Sequence, residues 1–123
     1  MSYVGIVLVS HSEKVVIGVK EIIRQVVTDV PIELAGGTED NLIGTSVEKI
    51  TAAIKQADQG AGVLVFYDLG SAKMNAELAL ELSDLPQVEI VEAPFIEGAY
   101  IGAVESSIGK NKSEIIASIA TSF

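Results

Sequence analysis

Short runs of β-branched and aliphatic residues alternate four times with longer segments in which apolar residues recur at helical spacing. Each run has the length and composition of a buried strand. The runs cover residues 3–9, 32–35, 63–67 and 88–91. Consecutive parallel strands joined through a helix form right-handed crossovers in nearly all proteins. The pattern therefore predicts an α/β fold, a three-layer sandwich with a mainly parallel four-stranded sheet, built from residues 1–123 as one domain.

The helical segments also predict where each helix begins and which side of it is buried. Ser12 is expected to cap the first helix, and Ser71 is expected to cap the third. Thr45 and Glu48 have the spacing of a capping box at the start of the second helix. Large apolar side chains at helical spacing predict the buried side of the third helix: Met74, Leu78, Leu82 and Leu85. The same rule predicts the buried side of the fourth helix: Ile96, Tyr100, Ala103, Val104 and Ile108.

The charge balance excludes several classes of partner. Seventeen acidic residues against eight basic ones give a net charge of −9, with no cluster of Lys and Arg. Such a surface repels phosphate backbones and anionic membranes, so we expect no binding of nucleic acid or membrane. No apolar run approaches the roughly 20 residues of a membrane span. Because the N-terminus also lacks the basic segment of a signal peptide, we expect a cytoplasmic protein.

The residue counts further restrict the chemistry. Cysteine is absent and His11 is the single histidine, so thiol catalysis, zinc–thiolate sites and histidine-rich metal sites are not expected. The glycine-rich nucleotide-binding motif and the P-loop lysine motif are also absent. We therefore predict that this chain itself binds neither a metal nor a cofactor.

Polar and glycine residues follow the predicted strands where their carboxyl ends meet. In parallel sheets this is the edge at which ligands bind. If strands 1 and 3 are neighbours, His11 and Asp68 lie side by side there. The segments that follow the strands are Ser10-His11-Ser12, Gly36-Gly37-Thr38, Asp68-Leu69-Gly70-Ser71 and Ala93-Pro94.

His11 and Asp68 together suit the transfer of a phosphoryl group. A neutral imidazole is a nucleophile toward phosphorus, and the helix N-terminus that follows it favours an anionic group. Asp68 facing Nδ1 would fix the tautomer and leave Nε2 to react. The candidate phosphate-binding residues are Ser10, Ser12, Gly36, Gly37, Thr38, Gly70 and Ser71. A single histidine is also often structural, and the glycine pair and the Asp68 segment are also typical of turns.

Three segments resemble one family in particular. They are residues 6–12, which contain Val-Ser-His-Ser, residues 35–45, which contain Ala-Gly-Gly-Thr and Ile-Gly-Thr, and residues 65–72, which contain Asp-Leu-Gly-Ser-Ala. The sequence resembles the DhaM family, the phosphotransfer subunits of bacterial dihydroxyacetone kinase, within the mannose-type EIIA proteins of the phosphoenolpyruvate:sugar phosphotransferase system. The resemblance covers nearly the whole chain and implies a sheet ordered 2-1-3-4.

The resemblance also implies a phosphotransferase activity with a phosphohistidine intermediate. His11 would accept a phosphoryl group from the phosphocarrier HPr, with Asp68 as its carboxylate partner. The group would pass to ADP that, with Mg²⁺, stays bound in the DhaL subunit, and the re-formed ATP would phosphorylate dihydroxyacetone held by the DhaK subunit. Mannose-type members are dimers, so a homodimer is expected. Because the chain stops at Phe123, HPr and enzyme I are expected to be separate molecules.

Two alternative functions fit the same sequence. One is the EIIA component of a mannose-type sugar permease, which shares the fold and the phosphohistidine chemistry. The other is a non-enzymatic regulatory module on a flavodoxin-like scaffold, which would take up no phosphate at His11.

Overall fold

The computed structural model describes residues 2–123 and has the predicted α/β architecture. No helix in this part of the chain is both long and apolar enough to cross a membrane. The elements in chain order are β1 (Gly5–Ser10), α1 (Glu13–Arg24), β2 (Ile32–Gly36), α2 (Val47–Ala57), β3 (Val63–Tyr67), α3 (Gly70–Ser83), β4 (Val88–Ile90), α4 (Phe95–Ser107) and α5 (Lys112–Ser122).

The four strands form one parallel sheet in the order β2-β1-β3-β4, which confirms the predicted order. β1 pairs on both sides, with Ser10 opposite Gly36 of β2 and Val9 opposite Tyr67 of β3. The Asp68 amide continues the β1–β3 pairing by donating to the Val9 carbonyl at 3.2 Å. The residues that follow β1 and β3 therefore start from adjacent positions at the same edge.

The two faces of the sheet carry separate apolar cores, because successive residues of a strand point to opposite faces. Ile6 and Leu8 of β1 pack with α1, α4 and α5. Val7 and Val9 pack with α2 and α3 on the other face. Every residue of β1 is buried, so this strand fixes the position of both layers.

The predicted buried sides of α3 and α4 are wrong for most of their large side chains, although the predicted Ala103 is buried. In α3 the buried residues are Ala72, Ala76 and Ala79, whereas Met74, Leu78 and Leu82 are 69%, 39% and 71% exposed. In α4 the buried residues are small as well: Gly98, Ala99, Gly102, Ala103 and Ser106. A Cβ atom at Gly102 would lie 2.9 Å from the ring of Phe66, so small residues make room for that buried ring. Close approach of the helices to the sheet, rather than side-chain hydrophobicity, decides which side is buried.

Two of the three predicted helix caps are also wrong. Ser12 caps α1 as predicted, since its hydroxyl accepts from the Val15 amide. The cap of α2 is Ser46, one residue after the predicted Thr45, and its hydroxyl accepts from the Lys49 amide. α3 begins after Leu69 with no side-chain cap, and Ser71 lies inside its first turn. Residue type alone did not distinguish Thr45 from its neighbour Ser46, because both are residues that commonly cap helices.

Gly36 provides a test of the packing that positions α1. A Cβ atom there would lie 2.8 Å from both the Glu13 Cα and the Ser12 carbonyl oxygen, which are backbone atoms that cannot move away easily. Gly36→Ala should lower the free energy of unfolding by about 1–3 kcal/mol, the usual effect of overpacking. Chemical denaturation measures this.

Gly18→Ala is the matched control for Gly36→Ala. Gly18 lies within α1, and a Cβ atom there would meet no other atom within 4 Å. The substitution should raise the stability by up to about 1 kcal/mol through helix propensity. Equal effects of the two substitutions would contradict the packing argument.

Candidate functional site

His11 lies in the turn between β1 and α1, and both of its ring nitrogens have partners. Its Nδ1 is 3.1 Å from Oδ1 of Asp68, the residue that follows β3. Its Nε2 is 2.7 Å from Oγ of Ser71 in the first turn of α3. The His11 side chain is 22% exposed, so the ring is held in place and yet reachable from solvent.

Asp68 is held by four hydrogen bonds. Oδ2 accepts from the Ser10 hydroxyl at 2.8 Å and from the His11 amide at 3.0 Å. Oδ1 accepts from the Leu69 amide at 2.7 Å and faces the His11 ring. Burial acts to raise the pKa of Asp68, but the hydrogen bonds from His11, Ser10 and Leu69 outweigh it and hold that pKa below its usual value. Asp68 is therefore an ionised acceptor at neutral pH.

The ionised state of Asp68 determines which nitrogen of His11 is free to react. A carboxylate can only accept hydrogen bonds, so Nδ1 of His11 must carry the proton that it donates to Asp68. Nε2 of the neutral ring then holds a lone pair, which accepts from the Ser71 hydroxyl. The arrangement produces the nucleophilic tautomer with its reactive nitrogen on the side of α3.

Ser10 and Ser12 use their hydroxyls within the protein. The Ser10 side chain is fully buried; its hydroxyl donates to Asp68 and accepts from the Ser12 amide at 3.1 Å. The Ser12 hydroxyl accepts from the Val15 amide at the start of α1. Their predicted role in phosphate binding remains a prediction. For Ser10 the geometry indicates a positioning role, because its hydroxyl orients the Asp68 carboxylate and that carboxylate contacts the His11 ring.

The glycine-rich segment after β2 is likewise occupied by its own contacts. The Gly37 amide donates to the Ser10 carbonyl at 3.1 Å, and the Thr38 amide donates to the Leu42 carbonyl at 2.9 Å. Gly36 packs against the first turn of α1. The amides of Gly37 and Thr38 are therefore already used within the protein, and the predicted phosphate contacts of Gly36, Gly37 and Thr38 stay untested.

Gly70 and Ser71 remain the best-placed candidates to contact a phosphoryl group. Both lie in the first turn of α3, whose N-terminus has no side-chain cap. Ser71 Oγ already contacts Nε2 of His11. An uncapped helix N-terminus presents amide donors and a partial positive charge to an anion.

Lys49 is part of the site's framework, and the sequence analysis did not identify it. Its ammonium group donates to the Gly36 carbonyl at 3.0 Å and to Oδ1 of Asn41 at 2.7 Å, which fixes the loop after β2. No motif links Lys49 to Gly36, which lies thirteen residues earlier, so only the fold reveals the contact.

Lys73, which follows Ser71 by two residues, is engaged elsewhere. It forms an ion pair with Glu92, which also accepts from the Tyr67 hydroxyl at 2.7 Å. Hydrogen bonding to Glu92 raises the pKa of Lys73 and also, together with burial, that of Tyr67. Within residues 2–123 no group of three or more His, Cys, Asp or Glu side chains is arranged to hold a metal ion.

Comparison with known proteins assigns the family. The mannose-type EIIA family model, described as the PTS system fructose IIA component, matches residues 5–116. The chain belongs to the EIIA-man family. This EIIA-man protein is 42% identical over 117 residues to the phosphoryl donor subunit DhaM of PEP-dependent dihydroxyacetone kinase 1 from Listeria innocua, covering 95% of this chain and 93% of that protein.

Further DhaM proteins are similar to this EIIA-man chain. The phosphotransferase subunit DhaM of PTS-dependent dihydroxyacetone kinase from Lactococcus lactis is 42% identical over 100 residues, covering 81% of this chain and 79% of that protein. The phosphoryl donor subunit DhaM from Escherichia coli is 36% identical over 120 residues. That alignment covers 92% of this chain and 25% of the longer E. coli protein.

Solved structures agree with the fold of this EIIA-man protein. The crystal structure of EF1359, a protein of unknown function, has a TM-score of 0.88 and 33% identity, covering 98% of this chain and 95% of that one. A sigma-54 interaction domain protein from Enterococcus faecalis has a TM-score of 0.75 at 13% identity, over 99% of this chain and 91% of that one, and shows the fold alone.

Ser10→Ala tests the hydrogen bonds that hold Asp68. The substitution removes the hydroxyl that donates to Oδ2, so the pKa of Asp68 should rise toward its usual value. A lowered carboxyl pKa stabilises the folded state above the unfolded pKa, and this stabilisation is lost as the pH falls through the folded pKa. In Ser10→Ala this acid-side loss should therefore be smaller and be complete at a higher pH. NMR titration of the Asp68 carboxyl carbon measures the pKa.

Ser113→Ala is the control for Ser10→Ala. Ser113 is an exposed residue of α5, next to Lys112, which lies against Gly62 at the amino end of β3. The Asp68 titration should match the wild type in this control. An unchanged Asp68 pKa in Ser10→Ala would show that the remaining donors alone set it.

Proposed function

We propose that this protein is the phosphoryl donor subunit of a PEP-dependent dihydroxyacetone kinase, carrying the phosphoryl group on Nε2 of His11. HPr supplies the group, and ADP bound in a DhaL subunit receives it. The observation that carries the proposal is the position of His11 between Asp68 at Nδ1 and Ser71 at Nε2. The names of the similar DhaM proteins support the choice of kinase, and we expect the protein to act in the cytoplasm.

In the first step His11 takes the phosphoryl group from phosphorylated HPr. The Nε2 lone pair forms a bond to phosphorus as the bond between phosphorus and the donor's histidine nitrogen breaks, and the donor ring leaves with that electron pair. The proton on Nδ1 stays between the His11 ring and Asp68. The ring gains positive charge as the N–P bond forms, and the Asp68 carboxylate stabilises that charge.

In the second step the group leaves for ADP. An oxygen of the terminal phosphate of ADP attacks phosphorus, the bond to Nε2 breaks, and the electron pair returns to the nitrogen. The products are ATP in DhaL and neutral His11 with its proton still on Nδ1. ATP then phosphorylates dihydroxyacetone in the DhaK subunit.

The charges needed for transfer come from several sources. In the transition state of transfer, the equatorial oxygens of the phosphoryl group require positive charge around them. In this chain the uncapped N-terminus of α3 supplies part of it through Gly70 and Ser71. Because Lys73 is paired with Glu92, we propose that the partners supply the rest, HPr with basic residues and DhaL with the Mg²⁺ that holds its ADP.

His11→Ala should abolish phosphorylation while leaving the fold intact, because His11 is the single histidine and its ring supplies the nucleophile. Wild type and variant are incubated with phosphoenolpyruvate, enzyme I and HPr, and acid-labile phosphate on the protein is measured. ³¹P NMR of the wild-type product should show the phosphoryl group on Nε2, since Nδ1 is engaged by Asp68.

The same reaction separates this proposal from its alternatives. A regulatory module would take up no phosphate in the wild type. A sugar-permease EIIA protein would be phosphorylated but would fail to form ATP from ADP bound in DhaL. Acid-labile phosphate on His11→Ala would overturn the assignment of the nucleophile.

We propose in addition that the protein is a homodimer that buries the exposed apolar side of α3. Met74, Leu78 and Leu82 follow one another at four-residue spacing and are all exposed. Three large apolar side chains on one helix form the kind of contiguous patch that marks a protein interface. α3 also packs on the strands β3 and β4 near the open edge of the sheet, where a second copy has access to it.

Leu78→Glu should dissociate this dimer, because two charged side chains would meet in its apolar centre. Sedimentation velocity at micromolar concentration measures the mass in solution. The matched control is Ile22→Glu. Ile22 is an apolar residue of α1 that is 52% exposed, and the mass of this variant should equal that of the wild type. A monomeric wild type, or a Leu78→Glu protein that stays dimeric, would contradict the proposal.

A further inference from the structure

Asn75 is a polar residue on the buried side of α3, where its neighbours are alanines. It is half-buried beside Ala72 and Ala76, which are fully buried. Its Nδ2 donates to Oγ1 of Thr45, a half-buried residue of the segment before α2. Burying an amide costs free energy unless it is hydrogen-bonded, and an alanine at this position would avoid that cost. The contact between Asn75 and Thr45 is therefore better explained by what it positions than by stability.

Thr45 belongs to a loop that is attached to the turn carrying His11. The neighbouring Gly44 donates its amide to the His11 carbonyl at 2.9 Å. Gly44 has a φ of 141°, a backbone conformation that glycine adopts without steric cost. Earlier in the loop, the Gly37 amide donates to the Ser10 carbonyl at 3.1 Å. The loop between β2 and α2 is thus fixed to the end of β1 at both of these points, and its Thr45 hydroxyl fixes it to α3 as well.

These contacts close a ring that returns to Nε2 of His11. Ser71 precedes Asn75 by four residues, so the two side chains lie on one side of α3, one turn apart. Side chains of a helix tilt toward its N-terminus, so Asn75 extends toward the end that carries Ser71. Ser71 Oγ lies 2.7 Å from Nε2 of His11. The ring passes through His11, Gly44, Thr45, Asn75 and Ser71.

The first turn of α3 depends on such a contact because it has no side-chain cap of its own. A second side-chain contact joins α3 to α2, but it lies at the far end of the helix, where the hydroxyls of Thr51 and Ser83 are 3.4 Å apart. Phosphoryl transfer is sensitive to small displacements, since a shift of about 1 Å in a reacting group can cost about a hundredfold in rate. The contact between Asn75 and Thr45 is placed to prevent such a shift.

We propose that Asn75 is a positioning residue for phosphoryl transfer, which acts through Thr45 to hold the first turn of α3 at a fixed distance from Nε2 of His11. The inference rests on the phosphotransfer function proposed above and adds a residue that acts on the site from outside it. The Ser71 hydroxyl and the amides of that turn then meet the phosphoryl group without rearrangement. Asn75 should therefore affect the rate of the chemical step rather than the affinity for a partner.

Thr45→Val tests the contact, because valine has the shape of threonine without its hydroxyl. The single-turnover rate of transfer is measured at saturating phosphorylated HPr, together with the HPr concentration that gives half of that rate. The rate should fall about tenfold, while the half-saturating concentration should change less than about twofold. Phosphorylation by phosphoramidate, a small donor that needs no protein contact, should slow by the same factor. Thr45→Ser keeps the hydroxyl and should restore most of the rate.

Thr51→Val is the matched control. It removes the hydroxyl that lies near Ser83 at the other end of α3, so it loosens the same helix away from the site. Chemical denaturation verifies that both valine variants are folded. The transfer rate in Thr51→Val should equal that of the wild type. Equal rates in Thr45→Val and Thr51→Val would overturn the proposal, and so would a loss confined to HPr affinity.

A double-mutant cycle tests whether Asn75 and Thr45 act through one contact. Asn75→Leu keeps the approximate shape of asparagine and removes its amide. It should slow transfer about as much as Thr45→Val, and the double variant should be no slower than either single variant, because the second change removes nothing further. Effects on the rate that multiply in the double variant would overturn a role shared through this hydrogen bond.

The position of the first turn can also be measured without phosphoryl transfer. His11 is the single histidine, so its Nε2 gives an unambiguous ¹⁵N NMR signal, and Ser71→Ala supplies the signal of a ring that lacks the Ser71 hydroxyl. Thr45→Val should move the wild-type signal toward that of Ser71→Ala, and Thr51→Val should leave it in place. An unmoved signal and an unchanged rate in Thr45→Val would overturn this inference alone. A wild type that takes no phosphoryl group from HPr would overturn the proposed function, and the catalytic role of Asn75 with it.

Discussion

The pairing of β1 with β3, continued beyond the strands by Asp68, is the contact on which the site depends. The sheet brings the two strand ends together, and the carboxylate then collects donors from Ser10, His11 and Leu69. One side chain thus joins the ends of two neighbouring strands, fixes the His11 tautomer and turns the other ring nitrogen toward α3. A buried hydroxyl behind the carboxylate completes this chain of positioning contacts from the core to the surface.

The sequence predicted the architecture because the signals for it are local. Alternating strand and helix patterns predicted the parallel sheet. The strand ends placed His11 and Asp68 at one edge, side by side only if strands 1 and 3 are neighbours. The structure shows that pairing, and Nδ1 of His11 lies 3.1 Å from Oδ1 of Asp68. Their chemical roles remain proposals. The resemblance to a known family, rather than residue patterns, supplied the order of the strands and the identity of the partners.

Other features depended on distances that no local pattern contains. The buried sides of α3 and α4 were predicted from large apolar residues, but the close approach of helix to sheet selected alanine and glycine. Gly37 and Thr38 were predicted to bind phosphate; their amides donate to the carbonyls of Ser10 and Leu42, and the predicted role stays untested. Lys49 of α2 donates to the Gly36 carbonyl, and no sequence motif in that helix indicates this contact.

The use of small residues against the sheet has a consequence for the behaviour of the protein in solution. Because alanine and glycine fill the inner sides of α3 and α4, much of the aliphatic surface of these helices faces water. Mutual repulsion between negatively charged molecules is then what opposes association beyond the dimer proposed above. That repulsion vanishes near the isoelectric point of about 4.4 that the sequence gives, so we expect the molecules to associate further near that pH, before their carboxylates are fully protonated.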